Sequence, residues 1–187
     1  IVGYGPTGAT LANILGAAGL SVLVVEREAG IYPLPRAIHF DGDVLRIWQG
    51  IGLREQVLAV SRPGTQGMHF VNAAGQTMLV RGGTAELGPH GGANNYYFHQ
   101  PEVEALLRQG VARYPNVQVR LRHALAGLAT DADGATLTVD DLQAGTRHAL
   151  RARYVVGADG ARSQVRAHMN PAMRDLGLRQ PWLVFDV

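Results

Sequence analysis

The chain has 187 residues, no cysteine, and 17 basic against 15 acidic side chains spread along its length. That length supports one good-sized core, and the lack of cysteine excludes disulfides, thiolate metal sites and a cysteine nucleophile while fitting a reducing cytoplasm. Balanced charge with scattered aromatics offers no basic stripe or stacking platform for nucleic acid. The longest apolar stretch, Leu11 to Val25, is broken by Asn13, Gly16, Gly19 and Ser21 and needs no membrane span.

Ile1 to Arg27, IVGYGPTGATLANILGAAGLSVLVVER, reads as strand, glycine turn, helix and strand, with an acid closing the second strand. Gly3, Gly5 and Gly8 hold the G-x-G-x-x-G positions, whose tasks are a tight turn, close approach of backbone to a pyrophosphate, and close helix–strand packing. Pro6 falls in the first helical turn, where its missing N–H costs little. Leu11, Ile14, Leu15 and Ala18 have the spacing of one buried face, and Gly19 marks the helix end. Ser21 to Val25 suits a covered parallel strand. Glu26 follows Gly8 at about the twenty-residue distance at which a carboxylate accepts from a ribose hydroxyl. That acid argues against a 2′-phosphate, and the unit alone leaves FAD and NAD both open.

Glu28 to Phe40 is a loop set by Pro33 and Pro35, with Arg36 near the carboxyl edge of the sheet, where open α/β sheets bind ligands. Asp41 or Asp43 caps a helix through Gln49 with Val44, Leu45 and Trp48 inward. Met68 to Val80 reads as a hairpin turning at Asn72–Gly75. Arg81 to Asn95 is a glycine-rich loop whose His90 reads as solvated. Pro101 opens a helix with Val103, Leu106, Leu107 and Val111 buried; Gln100 stands just outside it, poised to reach a ligand or to cap. Four strands are expected within Val117 to Leu150, as an antiparallel meander inserted into a parallel sheet. Arg153 to Arg166 then gives an apolar strand, the turn Gly157-Ala158-Asp159-Gly160, and a helix starting at Ser163. The fold class is therefore α/β, Rossmann-like, with a parallel sheet plus that meander. The sequence has no H-E-x-x-H, G-x-S-x-G or Walker A pattern and its histidines are dispersed, so no metal site is expected, and any redox chemistry needs a cofactor.

Four stretches in this order, IVGYGPTG…VVER, PRAIHFDGDVLRIWQGIGL, FHQPEVEALL and YVVGADGARSQVR, together resemble the class A flavin-dependent aromatic hydroxylases, which are FAD-binding monooxygenases. The resemblance covers essentially the whole chain. It implies that Gly3, Gly5 and Gly8, with Pro6 and Thr7 of the same turn, cradle the FAD pyrophosphate, and that Glu26, with Arg27 beside it, holds the adenosine ribose. Arg36 matches a loop arginine approaching the pyrophosphate, Gln100 a flavin-side glutamine, and Leu125 a backbone contact to adenine. Asp159 and Gly160 belong to an Asp-Gly fingerprint implicated in binding both FAD and reduced nicotinamide. His39 and Asp41 match positions near the isoalloxazine and are the two candidates for ionising the substrate.

The implied chemistry is hydride transfer from NADH or NADPH to FAD, capture of dioxygen as a flavin C4a-hydroperoxide, and hydroxylation of a phenolic aromatic substrate. A cytoplasmic enzyme, with a homodimer allowed, is the corresponding expectation. The family's later glycine-aspartate motif and substrate sheet do not occur in this sequence. Residues 1–180 are thus expected to be an FAD-binding domain incomplete at both ends, and 181–187 the start of a substrate-binding sheet. Two other readings stand beside this one: an FAD-dependent reductase or oxidase of the same fold, and a truncated, non-catalytic FAD-binding fragment.

Overall fold

The computed structural model describes residues 1–83 and 87–181, so the strand expected over Trp182–Val187 lies outside the described residues. In chain order the elements are α1 (Pro6–Ala17), β1 (Val22–Glu26), β2 (His39–Asp41), α2 (Gly42–Gly50), α3 (Arg54–Ala59), β3 (Ser61–Pro63), β4 (Met68–Val71), β5 (Thr77–Arg81), β6 (Asn95–Phe98), α4 (Gln100–Val111), β7 (Val117–Leu121), β8 (His123–Asp131), β9 (Gly134–Asp141), β10 (Thr146–Ala152) and α5 (Gln164–Met169). No helix among the described residues is long and apolar enough to cross a membrane.

The centre of the fold is a parallel layer. Val2 pairs with Val25 on one side and with Gly157 on the other, both in parallel. The Gly3 N–H donates to the Val25 carbonyl at 2.8 Å and the Ala158 N–H to the Val2 carbonyl at 2.7 Å. On its far side β1 pairs in parallel with β7, Val22 opposite Val117 through Glu26 opposite Leu121. The order across the layer is therefore residues 156–158, residues 1–3, β1, β7. Three further sheets are antiparallel: β8–β9–β10, β2–β6–β3, and the β4–β5 hairpin.

Val117 to Leu121 is the place where expectation and structure part. It was expected as the first strand of the meander, yet it joins the parallel layer, leaving β8, β9 and β10 as a three-stranded meander. Residue alternation sets a strand's faces but not its partner. The helix α4 directly before β7 supplies the crossover that parallel pairing requires.

The layer is covered on both faces, and β1 shows the period of two. Val22 and Val24 pack with α1, α2, α3 and α4 residues around Leu107 and Trp48. Val25 points the other way, into a smaller core with Val2, Leu137, Val139 and Val165 from the meander and α5. Phe40 stacks on Tyr96 at 5.1 Å and meets Trp48 edge-on at 4.9 Å, which fastens the β2–β6–β3 sheet to α2. The Trp48 indole N–H donates to the Thr10 hydroxyl at 3.0 Å and joins that unit to α1.

The buried face of α1 is not the one expected from its large apolar residues. Gly8, Ala9, Ala12, Asn13 and Gly16 are buried, whereas Ile14 is 39% exposed and Ala18 lies at the surface. Small side chains let α1 approach α4 and the layer closely, and Leu11 and Leu15 are left at the margin of the contact. Fully buried Asn13 fills the seam. Its amide donates to the carbonyls of Ala9 and Leu107, both at 2.8 Å, and its oxygen accepts from Arg113 at 3.3 Å. A buried polar side chain with all these partners costs little and fixes the register of the two helices.

Candidate functional site

Three parallel segments end side by side: Gly3 after Val2, Glu26 at the end of β1, and Asp159 after Gly157. The first glycine turn is built by this convergence. Gly3 has φ +99, and a Cβ there would run into the Ala158 carbonyl, so only glycine fits. A Cβ on Gly8 would meet the Gly3 carbonyl, which sets how tightly α1 begins behind the turn. Around Gly5 no atom lies within 4 Å of a notional Cβ, because this position opens onto a cavity. Pro6 occupies the first turn of α1.

That cavity has a volume of about 490 Å³, within the range of small-molecule sites. Gly3, Gly5, Pro6, Thr7, Glu26, Arg27, Arg36, Gln100, Leu125, Asp159 and Gly160 all border it. Gly8 sits behind the turn and does not line it. Tyr32, Glu104, Arg108, His123 and Arg162 also border the cavity, and sequence reasoning did not single these out. A larger cavity of about 680 Å³ lies between the β8–β9 turn and α5. Its one glycine, Gly134, belongs to a hairpin turn and does not lead into a long helix, so the chemistry that binds phosphates points to the smaller one.

Several side chains at the cavity hold backbone in place. The Glu26 carboxylate accepts from the Tyr4 N–H at 2.7 Å and the Glu28 N–H at 2.9 Å, which fixes the glycine turn to the end of β1. Buried Gln100, the first residue of α4 rather than its outer neighbour, accepts from the Arg36 and Ala37 N–H groups at 2.8 and 2.9 Å. The 28–40 loop is thereby pinned over the cavity, and the Arg36 guanidinium lies 4.5 Å from the centre of the Tyr32 ring. Arg108 donates to the Tyr4 carbonyl at 3.1 Å and to Glu104 at 2.7 Å. Burial pushes the Tyr4 phenol up, against the pull of the nearby Arg108 charge.

Asp159 accepts from the Ser163 hydroxyl and the Gln164 N–H, both at 2.6 Å, and from the Val165 N–H at 3.2 Å. Partial burial alone raises its carboxyl, but these donors outweigh burial and hold it below the usual range. A depressed carboxyl contributes stability above its unfolded-state value and loses it as pH falls through the folded one. Asp159→Asn is therefore expected to lose less stability than the wild type between about pH 5 and pH 3. Urea midpoints measured at both pH values check this; equal losses would contradict it.

The charges around the cavity do not cancel locally. Arg27 faces Glu28 at 3.1 Å and Arg108 faces Glu104, whereas Arg36 and Arg162 form no ion pair among the described residues. Two guanidinium groups without a carboxylate partner among the described residues and the N-terminus of α1 face one space, which the Glu26 carboxylate borders beside the glycine turn. A diphosphate with a ribose hydroxyl at one end suits that arrangement.

His39 and Asp41 lie elsewhere, on β2, where they pair with Tyr97 and Asn95. Both are exposed and neither lines the cavity. The Asp41 carboxylate caps α2, accepting from the Val44 N–H at 3.0 Å. His90, expected to be solvated, has its Nε2 2.6 Å from the Asp43 carboxylate, because the glycine-rich loop folds back onto the start of α2.

A family model described as an FAD binding domain matches residues 1–187. A 3-(3-hydroxy-phenyl)propionate/3-hydroxycinnamic acid hydroxylase from Comamonas testosteroni is 39% identical over 188 residues, covering 100% of this chain and 31% of that protein. A probable NADH-specific resorcinol 4-hydroxylase from Rhodococcus jostii (strain RHA1) is 36% identical over 193 residues, covering 100% of this chain and 35% of that protein. Among solved structures, the flavin-dependent monooxygenase PieE in complex with FAD and substrate superposes with a TM-score of 0.77 at 30% identity, over 90% of this chain and 31% of that one. The chain thus spans about a third of the length of the curated relatives it matches.

Proposed function

The chain belongs to the FAD binding domain family, and from that premise we propose that it is the cofactor-holding part of a flavin-dependent aromatic monooxygenase. Residues 1–180 form the FAD-binding domain in this reading. The observation that carries it is the convergence on one cavity of a glycine turn, a ribose-side acid, two arginines without a carboxylate partner among the described residues and the Asp159 turn.

Gly3, Gly5, Pro6, Thr7 and the N-terminus of α1 hold the pyrophosphate, with Gly8 keeping that helix close. Arg36 neutralises the phosphate charge and stays over the cavity because Gln100 grips the backbone at 36 and 37. Glu26 accepts from the ribose while retaining its bonds to Tyr4 and Glu28, since each carboxylate oxygen has a second lone pair. Arg27 borders the same end, and the backbone at Leu125 borders the adenine. Asp159 and Gly160 form the wall beside Gly3, with the Asp159 carboxylate already fixed by the start of α5. When bound, FAD supplies hydride acceptance from NADH or NADPH and activation of dioxygen for hydroxylating a phenolic ring. The resemblance to an NADH-specific hydroxylase favours NADH. Of the two candidates for polarising the phenol, the His39 side chain makes no hydrogen bond among the described residues, whereas that of Asp41 is engaged as a cap. His39 is therefore the better placed to meet substrate.

The test is NADH oxidation by the intact protein with and without a hydroxyphenylpropionate or a simple dihydroxybenzene. Oxidation that rises with the phenol and yields a ring-hydroxylated product supports the monooxygenase. Oxidation indifferent to the phenol, with no hydroxylated product, favours a reductase or oxidase of the same fold.

A further inference from the structure

We infer that Glu104 and Arg108 are positioning residues of the dinucleotide site: an ion pair on α4, buried at Glu104 and half-buried at Arg108, that fixes both the glycine turn and the loop carrying Arg36. The role rests on the reading of the cavity given above. Gln100, Glu104 and Arg108 follow one another at intervals of four and form a polar stripe along one face of the helix. Gln100 is 7% exposed and Glu104 only 3%.

Arg108 makes two directed contacts from one planar fork: Nε to the Tyr4 carbonyl at 3.1 Å and Nη2 to the Glu104 carboxylate at 2.7 Å. Its guanidinium also lies 4.6 Å from the centre of the Tyr4 ring. The other Glu104 oxygen is 3.5 Å from the Gln100 amide nitrogen, and the Gln100 oxygen holds the Arg36 and Ala37 N–H groups at 2.8 and 2.9 Å. One carboxylate thus orients the arginine on one side and the glutamine on the other.

The consequence falls on the backbone between Tyr4 and Gly5. Glu26 holds the N–H of Tyr4 at 2.7 Å while Arg108 holds its carbonyl. A planar trans peptide sets the next N–H opposite that carbonyl, so Arg108 fixes the direction of the Gly5 N–H, at the position that opens onto the cavity. That N–H has no partner among the described residues. A donor preset in this way binds an anion without first paying to be ordered. Stability alone gives little reason to keep the pair, because apolar replacements of similar size often serve a buried core as well.

Two variants of the intact protein test this, with FAD affinity read by quenching of flavin fluorescence and apoprotein stability by thermal unfolding. Arg108→Lys keeps the charge but not the fork, and is expected to weaken FAD binding by about ten- to a hundredfold, the weight of one charge-assisted hydrogen bond. The double variant Glu104→Met/Arg108→Met removes both charges together, and is expected to keep the apoprotein midpoint near that of the wild type while losing a similar factor in affinity. Wild-type affinity in both variants would overturn the inference, as would a loss of affinity matched throughout by loss of apoprotein stability. A wild-type protein that takes up no FAD would overturn the reading of the cavity itself, and the inference with it.

Discussion

Gly3→Ala is expected to yield a protein that carries no FAD and unfolds at a markedly lower temperature. At φ +99 an alanine is strained wherever it stands, and here its Cβ would also run into the Ala158 carbonyl. Turning that carbonyl aside gives no relief, because the Cβ would also meet the Ala158 carbonyl carbon and the Asp159 Cα, and the Ala158 N–H ties this segment to Val2 at 2.7 Å. Relief requires the 156–158 segment to part from the first strand, which breaks the layer at the point where the site forms. The cost is about 3 kcal/mol or more, combining backbone strain with lost pairing. Gly5→Ala is the informative control. Nothing lies within 4 Å of its notional Cβ, so stability should hold while the added methyl intrudes on the cavity. Flavin content and thermal midpoints of both variants check the pair. A flavin-replete Gly3→Ala protein would remove the glycine turn from the account.

Leu107→Ala carries the second large effect. Leu107 is fully buried on α4 and packs in the main core with residues of α1 and β1. Truncating such a side chain costs about 2–5 kcal/mol through lost transfer energy and the cavity left behind. At about 2–4 °C per kcal/mol for a domain of this size, the midpoint should fall by roughly 5–20 °C. Urea unfolding should show a lower midpoint with an unchanged slope. A shift below about 1 kcal/mol would mean that α4 is not packed on α1 as described.

Much of this arrangement was legible because its local signs agree with one another. The G-x-G-x-x-G turn, Pro6, the apolar β1 run and Glu26 each restrict the backbone in the same direction, and the Asp159 turn does so again at the far end of the chain. The α1 face was misread because large apolar residues were assumed to point inward. Ala9, Ala12 and Gly16 are buried for their small size, which apolar spacing does not weigh. The three-residue strands β2 and β3, the four-residue β6 and the six-residue α3 are too short for periodicity to register. Nothing local to Glu104 and Arg108 marks them as more than charges on a helix. The available clue was the repeat of Gln100, Glu104 and Arg108 beside the apolar stripe of Val103, Leu107 and Val111. What no local pattern could supply was the distant partner, the Tyr4 carbonyl, which lies 104 residues away from Arg108.

The most direct test of the central claim is the visible absorption spectrum of the purified protein, with the released cofactor identified after denaturation. Flavin bands and released FAD are the predicted result, lost in Gly3→Ala. A colourless protein that takes up no added FAD, including when expressed at the full length of its relatives, would contradict the assignment of the cavity.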